Sequence, residues 1–173
     1  MKIIIDSREQ TPWAWDASDA ETQVGTLSAG DYALASDCES VKGRSTLSVR
    51  FAIERKSLDD FLGTISGGWE RFQRELIRME PFPARVVIVE GDFADCCFKK
   101  LNYDFEEALS DGTPNPIIPP EHNHPAMRPA FVARRISELT MQGVSVLMAG
   151  DAQMAAGLAY RIFRRREDLC QLN

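Results

Sequence analysis

Residues 85–90 read Arg-Val-Val-Ile-Val-Glu, a nearly continuous run of β-branched side chains. Such a run is typical of a central strand that is covered on both faces. Helical patterns flank it, since 57–79 carry two amphipathic segments separated by a Gly-Gly pair, and 130–142 carry a third. Alternation of strands and helices predicts an α/β fold, a three-layer sandwich in which one mixed central sheet has helices on both faces.

The N-terminal third of the chain predicts shorter extended segments. Residues 2–6 are an apolar run that ends in a polar turn, and residues 23–35 contain two extended pieces around a turn signal at 28–31. Residues 47–54 alternate apolar and polar side chains, which predicts one strand. Residues 38–46 are rich in Ser, Gly and charged side chains, and we interpret them as a connecting loop.

The C-terminal part predicts a helix, an irregular connection, a second helix, a strand and a last helix, over residues 92–109, 111–129, 130–142, 143–148 and 151–166 in that order. The connection carries six of the nine prolines, and loops of this length are often functional. Asp151 precedes the last helix and is predicted to be its N-cap.

The length and composition are those of one globular domain. The chain has 173 residues, of which 44% are hydrophobic and 27% charged, so we expect a single domain over residues 1–173. No apolar run approaches the roughly 18 residues that span a bilayer, and the N-terminal apolar stretch is too short for a signal peptide. We therefore expect a cytoplasmic protein that has no membrane partner and keeps its four cysteines as free thiols.

Three residues carry candidate chemistry: Asp31 next to a turn signal, and Glu54 and Lys56 in an extended segment. Residues two apart in a strand project to one face, so we infer that Glu54 and Lys56 point together toward Asp31 on a neighbouring strand. Paired carboxylates suit hard cations such as Mg²⁺, which polarise a phosphodiester and activate water. A lysine beside them orients or deprotonates that water. An isolated Glu-x-Lys triplet is, however, also common as an exposed ion pair.

The motifs around these residues resemble those of one family. Gly30-Asp31-Tyr32 is followed, after a gap, by Ile-Glu-Arg-Lys-Ser-Leu-Asp-Asp at residues 53–60. Residues 5–9 (Ile-Asp-Ser-Arg-Glu), 61–72 and 89–91 continue the same order of motifs. Over about residues 2–92 the chain resembles the XPF family of structure-selective DNA nucleases. This resemblance implies a restriction-endonuclease-like fold and a metal-dependent endonuclease that acts on branched, flapped or nicked duplex DNA.

The resemblance also implies roles for individual residues. Asp31 and Glu54 correspond to ligands of Mg²⁺ or Mn²⁺, and Lys56 corresponds to the catalytic lysine. Asp60 matches the last Asp of the family signature. Its neighbour Asp59 is interpreted more simply as a helix N-terminal acid, which the helix dipole favours.

Further residues are placed around the same site by the resemblance. Asp6, Glu9 and Arg55 belong to the implied catalytic set, whereas Arg8 and Arg71 are candidate DNA contacts. An alternative for Arg8 and Arg55 is that they bridge carboxylates, because acidic clusters usually need a nearby cation. For Arg71 the alternative is an ordinary exposed helix arginine.

The net charge of −6 contrasts with the basic surface expected of a DNA-binding protein. Basic residues nevertheless cluster within 42–56, 71–78 and 161–166. We therefore expect modest intrinsic DNA affinity. A homodimer or an activating protein partner would then strengthen DNA binding. The family often carries a helicase domain or a tandem helix-hairpin-helix module, and this chain has room for neither, so we expect a stand-alone nuclease domain.

Two other functions remain open on sequence alone. The first is a non-catalytic DNA-binding scaffold that partners another nuclease. The intact Asp31, Glu54 and Lys56 argue against it, because a carboxylate cluster is costly to bury without a use. The second is an unrelated α/β binding module in which the Glu-x-Lys triplet is a coincidence.

Two further patterns are interpreted as structural. His122 and His124, taken with the adjacent Cys96 and Cys97, lack the ligand spacing of a zinc site. Trp13 and Trp15 flank a turn at Pro12 and could stack on bases, but alternating apolar residues near a strand reach the core more often.

Overall fold

The computed structural model describes residues 1–16, 18–97 and 127–171, which form an eight-stranded sheet with flanking helices. The strands are β1 Lys2–Asp6, β2 Glu21–Leu27, β3 Tyr32–Leu34, β4 Cys38–Ser40, β5 Thr46–Val49, β6 Ile53–Ser57, β7 Arg85–Glu90 and β8 Val144–Met148. The helices are α1 Leu58–Ile65, α2 Trp69–Arg78, α3 Phe93–Cys97, α4 Pro129–Met141 and α5 Ala152–Gln171, with a 3₁₀ turn at Ala35–Asp37.

The sheet is mixed, with the strand order β4-β5-β2-β1-β3-β6-β7-β8. Strand β3 is antiparallel to both of its neighbours, β1 and β6, whereas β6, β7 and β8 run parallel to one another. Because β3 is only three residues long, the turn before it brings the end of β1 close to β6.

Strand β7 shows how the layers are arranged. Its side chains alternate between two covered faces: Val86 and Ile88 pack with α5, and Val87 and Val89 pack with α1, α2 and α4. All four are at most 6% exposed. The predicted three-layer α/β sandwich, with helices on both faces of a mixed sheet, is confirmed.

One stretch differs from the sequence prediction. Residues 38–46, predicted to be a loop, begin with β4, which pairs antiparallel with β5 so that Cys38 faces Val49. Residues 47–54, predicted to be one strand, are divided between β5 and β6. The chain leaves β5 to cross toward β3 and β7, and Phe51 and Ala52 are both buried in that crossing, at 3% and 0% exposure. Alternation stops there because packing covers every side of the chain.

The C-terminal elements follow the predicted order with different lengths. Helix α5 begins after Asp151, whose Oδ1 accepts a hydrogen bond from the Met154 amide at 2.7 Å, and it continues beyond the predicted end at 166. Of the helix predicted over 92–109, only α3 lies within the described residues, and the predicted connection is described only from 127 onward. The four cysteines form no disulfide. No helix in the described part of the chain is long and apolar enough to cross a membrane.

Candidate active site

The backbone of Asp31 is held at the point where β1, β3 and β6 meet. Its amide donates to the carbonyl of Ile53 at 2.9 Å, and its carbonyl accepts from the Asp6 amide at 2.8 Å. The preceding Gly30 has a φ of 73°, which glycine adopts without strain. A Cβ on Gly30 would lie 2.5 Å from the Cβ of Ala52. The turn that presents Asp31 therefore requires glycine for both its backbone conformation and its space.

The Asp31 carboxylate sits in surroundings that disfavour its charge. Oδ2 accepts a hydrogen bond from the Arg55 amide at 2.7 Å, which favours the anion. Burial and the nearby Glu54 carboxylate act more strongly in the other direction and raise the pKa of Asp31 to about 7. A cation placed beside this pair would relieve both effects.

Glu54 and Lys56 lie on the same side of β6, where a two-residue spacing puts them. The Lys56 Nζ is 2.7 Å from Glu54 Oε1, and the side chains are 14% and 12% exposed. Burial alone would lower the pKa of Lys56, but the Glu54 and Asp31 carboxylates outweigh it and hold this pKa above its ordinary value. Nζ also lies 5.4 Å from the centre of the Phe72 ring. The ammonium group is thus fixed in place and charged.

Strand β6 continues into α1 without a connecting residue. Ser57 is the last residue of β6, and its Oγ accepts a hydrogen bond from the Asp60 amide at 3.1 Å, as a helix N-cap does. Asp59 and Asp60 occupy the first turn of α1, where the helix dipole favours acids. The first turn of α1 is therefore held at a fixed distance from Lys56.

These residues open onto a cleft of about 360 Å³, here called the Asp31 cleft, which is lined by Arg8, Glu9, Gln10, Thr11, Asp31, Glu54, Arg55, Lys56 and Asp60. Seven of the nine residues singled out in the sequence line it. The remaining two, Asp6 and Arg71, lie outside this lining. The fold thus brings together residues from β1 and its following turn, the turn before β3, β6 and the start of α1.

Both carboxylate oxygens of Asp6 accept hydrogen bonds from nearby residues. It is 1% exposed, and it binds the Arg8 guanidinium at 2.6 and 3.0 Å and the Leu27 amide at 2.7 Å. Burial would raise the pKa of Asp6, but these hydrogen bonds outweigh it and lower the pKa. Asp6 therefore positions Arg8, whose side chain is 65% exposed and reaches the cleft.

The Arg55 guanidinium bridges carboxylates, one of the two alternatives that its sequence left open. Nε and Nη2 donate to the two oxygens of Glu90 at 2.7 and 2.9 Å, and Nη1 donates to Glu9 Oε1 and Thr11 Oγ1, both at 3.0 Å. Its side chain is only 11% exposed. Arg55 thereby ties the segment after β1 to β6 and β7.

Glu90 and Trp13 complete this network, and sequence reasoning did not single them out for the site. The Trp13 indole donates to Glu90 Oε1 at 2.5 Å, and its ring stacks on Tyr32 with centroids 4.5 Å apart. Trp13 is 5% exposed, so it is a core residue, as interpreted from the sequence. A signal for Glu90 does exist: it is the carboxylate that ends the apolar β7 run, and in register it faces Ser57 of β6.

Arg71 lies on a depression that adjoins the Asp31 cleft and shares Lys56 and Asp60 with it. Its side chain is 72% exposed, and its Nε is 3.7 Å from the nearest oxygen of Glu75. At that distance and exposure the ion pair contributes little, so the guanidinium is available to a ligand.

The donor set of the cleft fits a hard divalent cation. Among residues 1–16, 18–97 and 127–171, no group of three or more His, Cys, Asp or Glu side chains could by itself hold a metal. Mg²⁺ needs fewer protein ligands, because it usually takes one or two carboxylates and completes its shell with water and substrate phosphates. Asp31 and Glu54 offer such a pair, one of them destabilised as an anion. His122 and His124 lie outside the described residues.

Comparison with known proteins places the chain in a family. A family model described as the ERCC4 domain matches residues 5–162, which is most of the chain. The protein therefore belongs to the ERCC4 domain family, as the sequence resemblance implied, and an unrelated α/β module is excluded. No curated relative matches the chain.

Solved structures with the same fold include XPF from Aeropyrum pernix, which is 16% identical over 99% of this chain and 70% of that one, with a TM-score of 0.56. XPF from Aeropyrum pernix in complex with DNA is 18% identical over 96% of this chain and 65% of that one, with a TM-score of 0.60. The restriction-endonuclease-like fold of the XPF nuclease domain is thus confirmed. The chain spans about two thirds of the length of these structures.

Proposed function

We propose that this chain is a divalent-metal-dependent DNA endonuclease that hydrolyses phosphodiester bonds at branched, flapped or nicked duplex DNA. The observation that carries the proposal is the convergence of Asp31, Glu54 and Lys56 on one open cleft. Family membership and the structural likeness to XPF from Aeropyrum pernix in complex with DNA support it.

Asp31 and Glu54 would hold Mg²⁺ or Mn²⁺. When bound, the cation supplies an activated water and neutralises charge on the phosphate. Lys56 is held protonated by its two carboxylate neighbours, so it acts as a hydrogen-bond donor and not as a base. It would orient the attacking water or stabilise the negative charge that develops on the phosphate oxygens.

The surrounding cations have different tasks in this proposal. Arg8 is anchored at one end by Asp6 and exposed to the cleft, which suits binding of a DNA phosphate. Arg55 is saturated by Glu90 and Glu9 and would act through the backbone amide that it donates to Asp31. Glu9, which follows β1, and Asp60, in the first turn of α1, both line the cleft and would border the bound cation.

The test is cleavage of labelled flap, fork, nicked and plain duplex DNA in Mg²⁺ or Mn²⁺ by the intact chain. We expect metal-dependent nicking near the junction, abolished in Lys56→Ala and in Asp31→Asn. The matched controls are Lys2→Ala and Asp19→Asn, which change a partly exposed lysine and an exposed aspartate outside the cleft and should cleave like the wild type. Equal cleavage by Lys56→Ala and Lys2→Ala would contradict the proposal.

A non-catalytic scaffold is the second candidate, and binding of DNA without cleavage in either metal would support it. The carboxylate pair of the cleft, which shares the single Lys56 ammonium, favours catalysis, because a scaffold gains nothing from burying it. A homodimer, an activating protein partner and a cytoplasmic location stay predictions. Sedimentation of the chain with and without fork DNA would measure the first of these.

A further inference from the structure

A groove of about 450 Å³ runs beside the C-terminal half of α5 and is here called the α5 groove. Its apolar lining consists of Phe51, Pro83, Ala84, Ile162 and Leu169. Phe51 and Ile162 belong to the core layer on the α5 side of the sheet. Lys56 lies over the ring of Phe72, which belongs to the layer on the other side. The central sheet therefore lies between the α5 groove and Lys56 of the Asp31 cleft.

The apolar lining of the α5 groove is open to solvent above a buried floor. Phe51 forms the floor at 3% exposure, whereas Leu169 is 43% exposed. Pro83 and Ala84 are exposed as well, and they face the groove from the segment before β7. Single exposed apolar residues are ordinary, but a contiguous concave set with a polar rim is typical of a binding site.

Two arginines on the rim of the groove lack an ionic partner. Arg161 and Arg165 are exposed on consecutive turns of α5, and neither forms an ion pair with any residue that the structure describes. Arg166 also lines the groove, but it is bound to Asp37 at 2.9 Å. Like charges four residues apart destabilise a helix. The fold therefore carries this arginine pair at a cost that no contact among the described residues offsets.

The charge of the groove differs from that of the rest of the chain. Among the described residues that line it, none is acidic, although the chain as a whole has a net charge of −6. In the Asp31 cleft, by contrast, acids and bases line the same space. The α5 groove therefore has a local excess of positive charge and suits a ligand that carries carboxylates or other anions.

The combination of an apolar floor and an arginine rim separates two classes of anionic ligand. DNA is held mainly by polar contacts to its phosphates and sugars, which would leave the apolar floor uncovered. A protein segment supplies both kinds of group. One large apolar side chain can fill the pocket as an anchor, and Asp or Glu side chains can bind guanidinium groups through two hydrogen bonds each.

We propose that the α5 groove binds an acidic segment of another protein. One large apolar side chain of that segment fills the floor above Phe51, and carboxylates beside it bind Arg161 and Arg165. Because the sheet separates the groove from Lys56, the partner and DNA bind at the same time. This inference goes beyond the proposed function and holds whether or not the chain cleaves DNA.

The first test is selection of peptides that bind the intact chain. A phage-displayed library of random peptides is panned on the wild type, and the Arg161→Glu/Arg165→Glu double variant serves for counter-selection. We expect the enriched sequences to share Asp or Glu residues beside one large apolar residue. Enrichment of no common sequence, or of sequences without acids, would overturn the inference.

Single substitutions then locate the binding of an enriched peptide, measured by fluorescence anisotropy. Arg165→Glu should weaken binding about tenfold, because charge-assisted hydrogen bonds are lost. Leu169→Ser should weaken it about fivefold, because apolar contact is lost. The matched controls are Arg164→Glu and Met154→Ser, which make the same changes on α5 outside the groove and should bind like the wild type. Melting temperatures of the four variants, all at exposed positions, should stay close to that of the wild type.

The remaining outcomes identify other occupants and would each overturn the inference. Equal weakening by Arg165→Glu and Arg164→Glu would show that the peptide senses the charge of the whole helix. Displacement of the peptide by fork DNA would assign the groove to DNA. Sedimentation in which the wild type self-associates and the double variant does not would assign it to a second copy of this chain. None of these measurements uses cleavage, so a failure of the proposed nuclease function leaves them unchanged.

Discussion

Two buried aspartates of this protein have opposite surroundings. Asp37, at the end of the 3₁₀ turn, binds the Arg166 guanidinium through both of its oxygens at 2.9 and 3.1 Å, and Arg50 lies 3.8 Å away. Asp31 accepts one hydrogen bond from the Arg55 amide and lies beside the Glu54 carboxylate, and Lys56 is the ammonium near both.

The difference teaches how charge balance separates a structural carboxylate from a candidate catalytic one. Around Asp37, cations outnumber the buried carboxylate, so the cluster is complete and joins α5 to the β3–β4 connection. At the Asp31 cleft, Asp31 and Glu54 share the fixed Lys56 ammonium, and the nearby Arg8 guanidinium is already bound to Asp6. The shortage of positive charge there matches the place of a divalent cation and a phosphate.

The largest effect should come from changing Glu54. Glu54→Gln keeps the size of the side chain and removes the charge that would hold the cation, so cleavage of fork DNA should fall on the order of 10³-fold. Steady-state cleavage rates in Mg²⁺ measure this effect. Glu39→Gln changes an exposed carboxylate near Arg50 and should leave the rate within twofold of the wild type. Similar losses in the two variants would erase the contrast between the clusters.

Asp37→Asn should have the opposite effect to Glu54→Gln: it should lower the stability of the fold and leave DNA cleavage unchanged. Removing one partner of a buried ion pair leaves Arg166 uncompensated, so we expect a destabilisation of about 3 kcal/mol in urea unfolding. The rate of DNA cleavage at 25 °C should stay near the wild-type value, because this cluster lies away from the cleft. A loss of activity larger than the loss of folded protein would contradict the assignment of Asp37 to structure alone.

Arg55→Lys tests whether a network that borders the cleft behaves like the Asp37 cluster. Lysine cannot reproduce the fork that grips Glu90 and reaches Glu9, so the free energy of unfolding should fall by about 2 kcal/mol. The Asp31–Arg55 backbone hydrogen bond survives this change, so activity should fall less than in Glu54→Gln. Urea midpoints and kcat are measured for Arg55→Lys and Glu54→Gln. A larger loss of stability and a smaller loss of kcat in Arg55→Lys would show that Arg55 holds neighbouring residues in place and takes no direct part in cleavage.

The smallest effect concerns pH in metal-free protein. The folded pKa of Asp31, about 7, lies above the ordinary 3.8, so the stability from this group falls as pH rises from about 4 to about 7. Asp31→Asn removes this dependence, and its advantage in melting temperature over the wild type should grow by roughly 3 °C between pH 5 and pH 8. Mg²⁺ should stabilise the wild type more at pH 8 than at pH 6, and the variant at neither. An advantage that shrinks with rising pH would contradict the raised pKa.

The sequence predicted those parts of the fold that depend on local pattern. Strand β7 is recognisable because both of its faces are covered, and the start of α1 because Ser57 and the acids after it form a local cap. The Asp31 cleft follows from the two-residue spacing of β6 and from the family motifs. Each of these features depends on residues that lie only a few positions apart in the sequence, so the local pattern is enough to predict it.

Contacts between distant parts of the chain were beyond the sequence. The division of residues 47–54 into two strands depends on where the chain crosses the core, which alternation does not encode. Glu90 lies 35 residues from Arg55, and Asp37 lies 129 residues from Arg166. From sequence alone, each of these charged residues would be predicted to lie on the surface. Its partner is known only from the folded structure.

Because Ser57 both ends β6 and caps α1, we expect any change of length at this junction to disturb the site. An inserted amino acid would rotate α1 by about 100° relative to Lys56 and misalign everything that the helix carries. Residues 41–45, which are all exposed and join the edge strand β4 to β5, offer the contrasting place for tags, labels or added segments. Added length in this exposed connection should therefore leave the geometry at Lys56 unchanged, whereas added length at Ser57 should not.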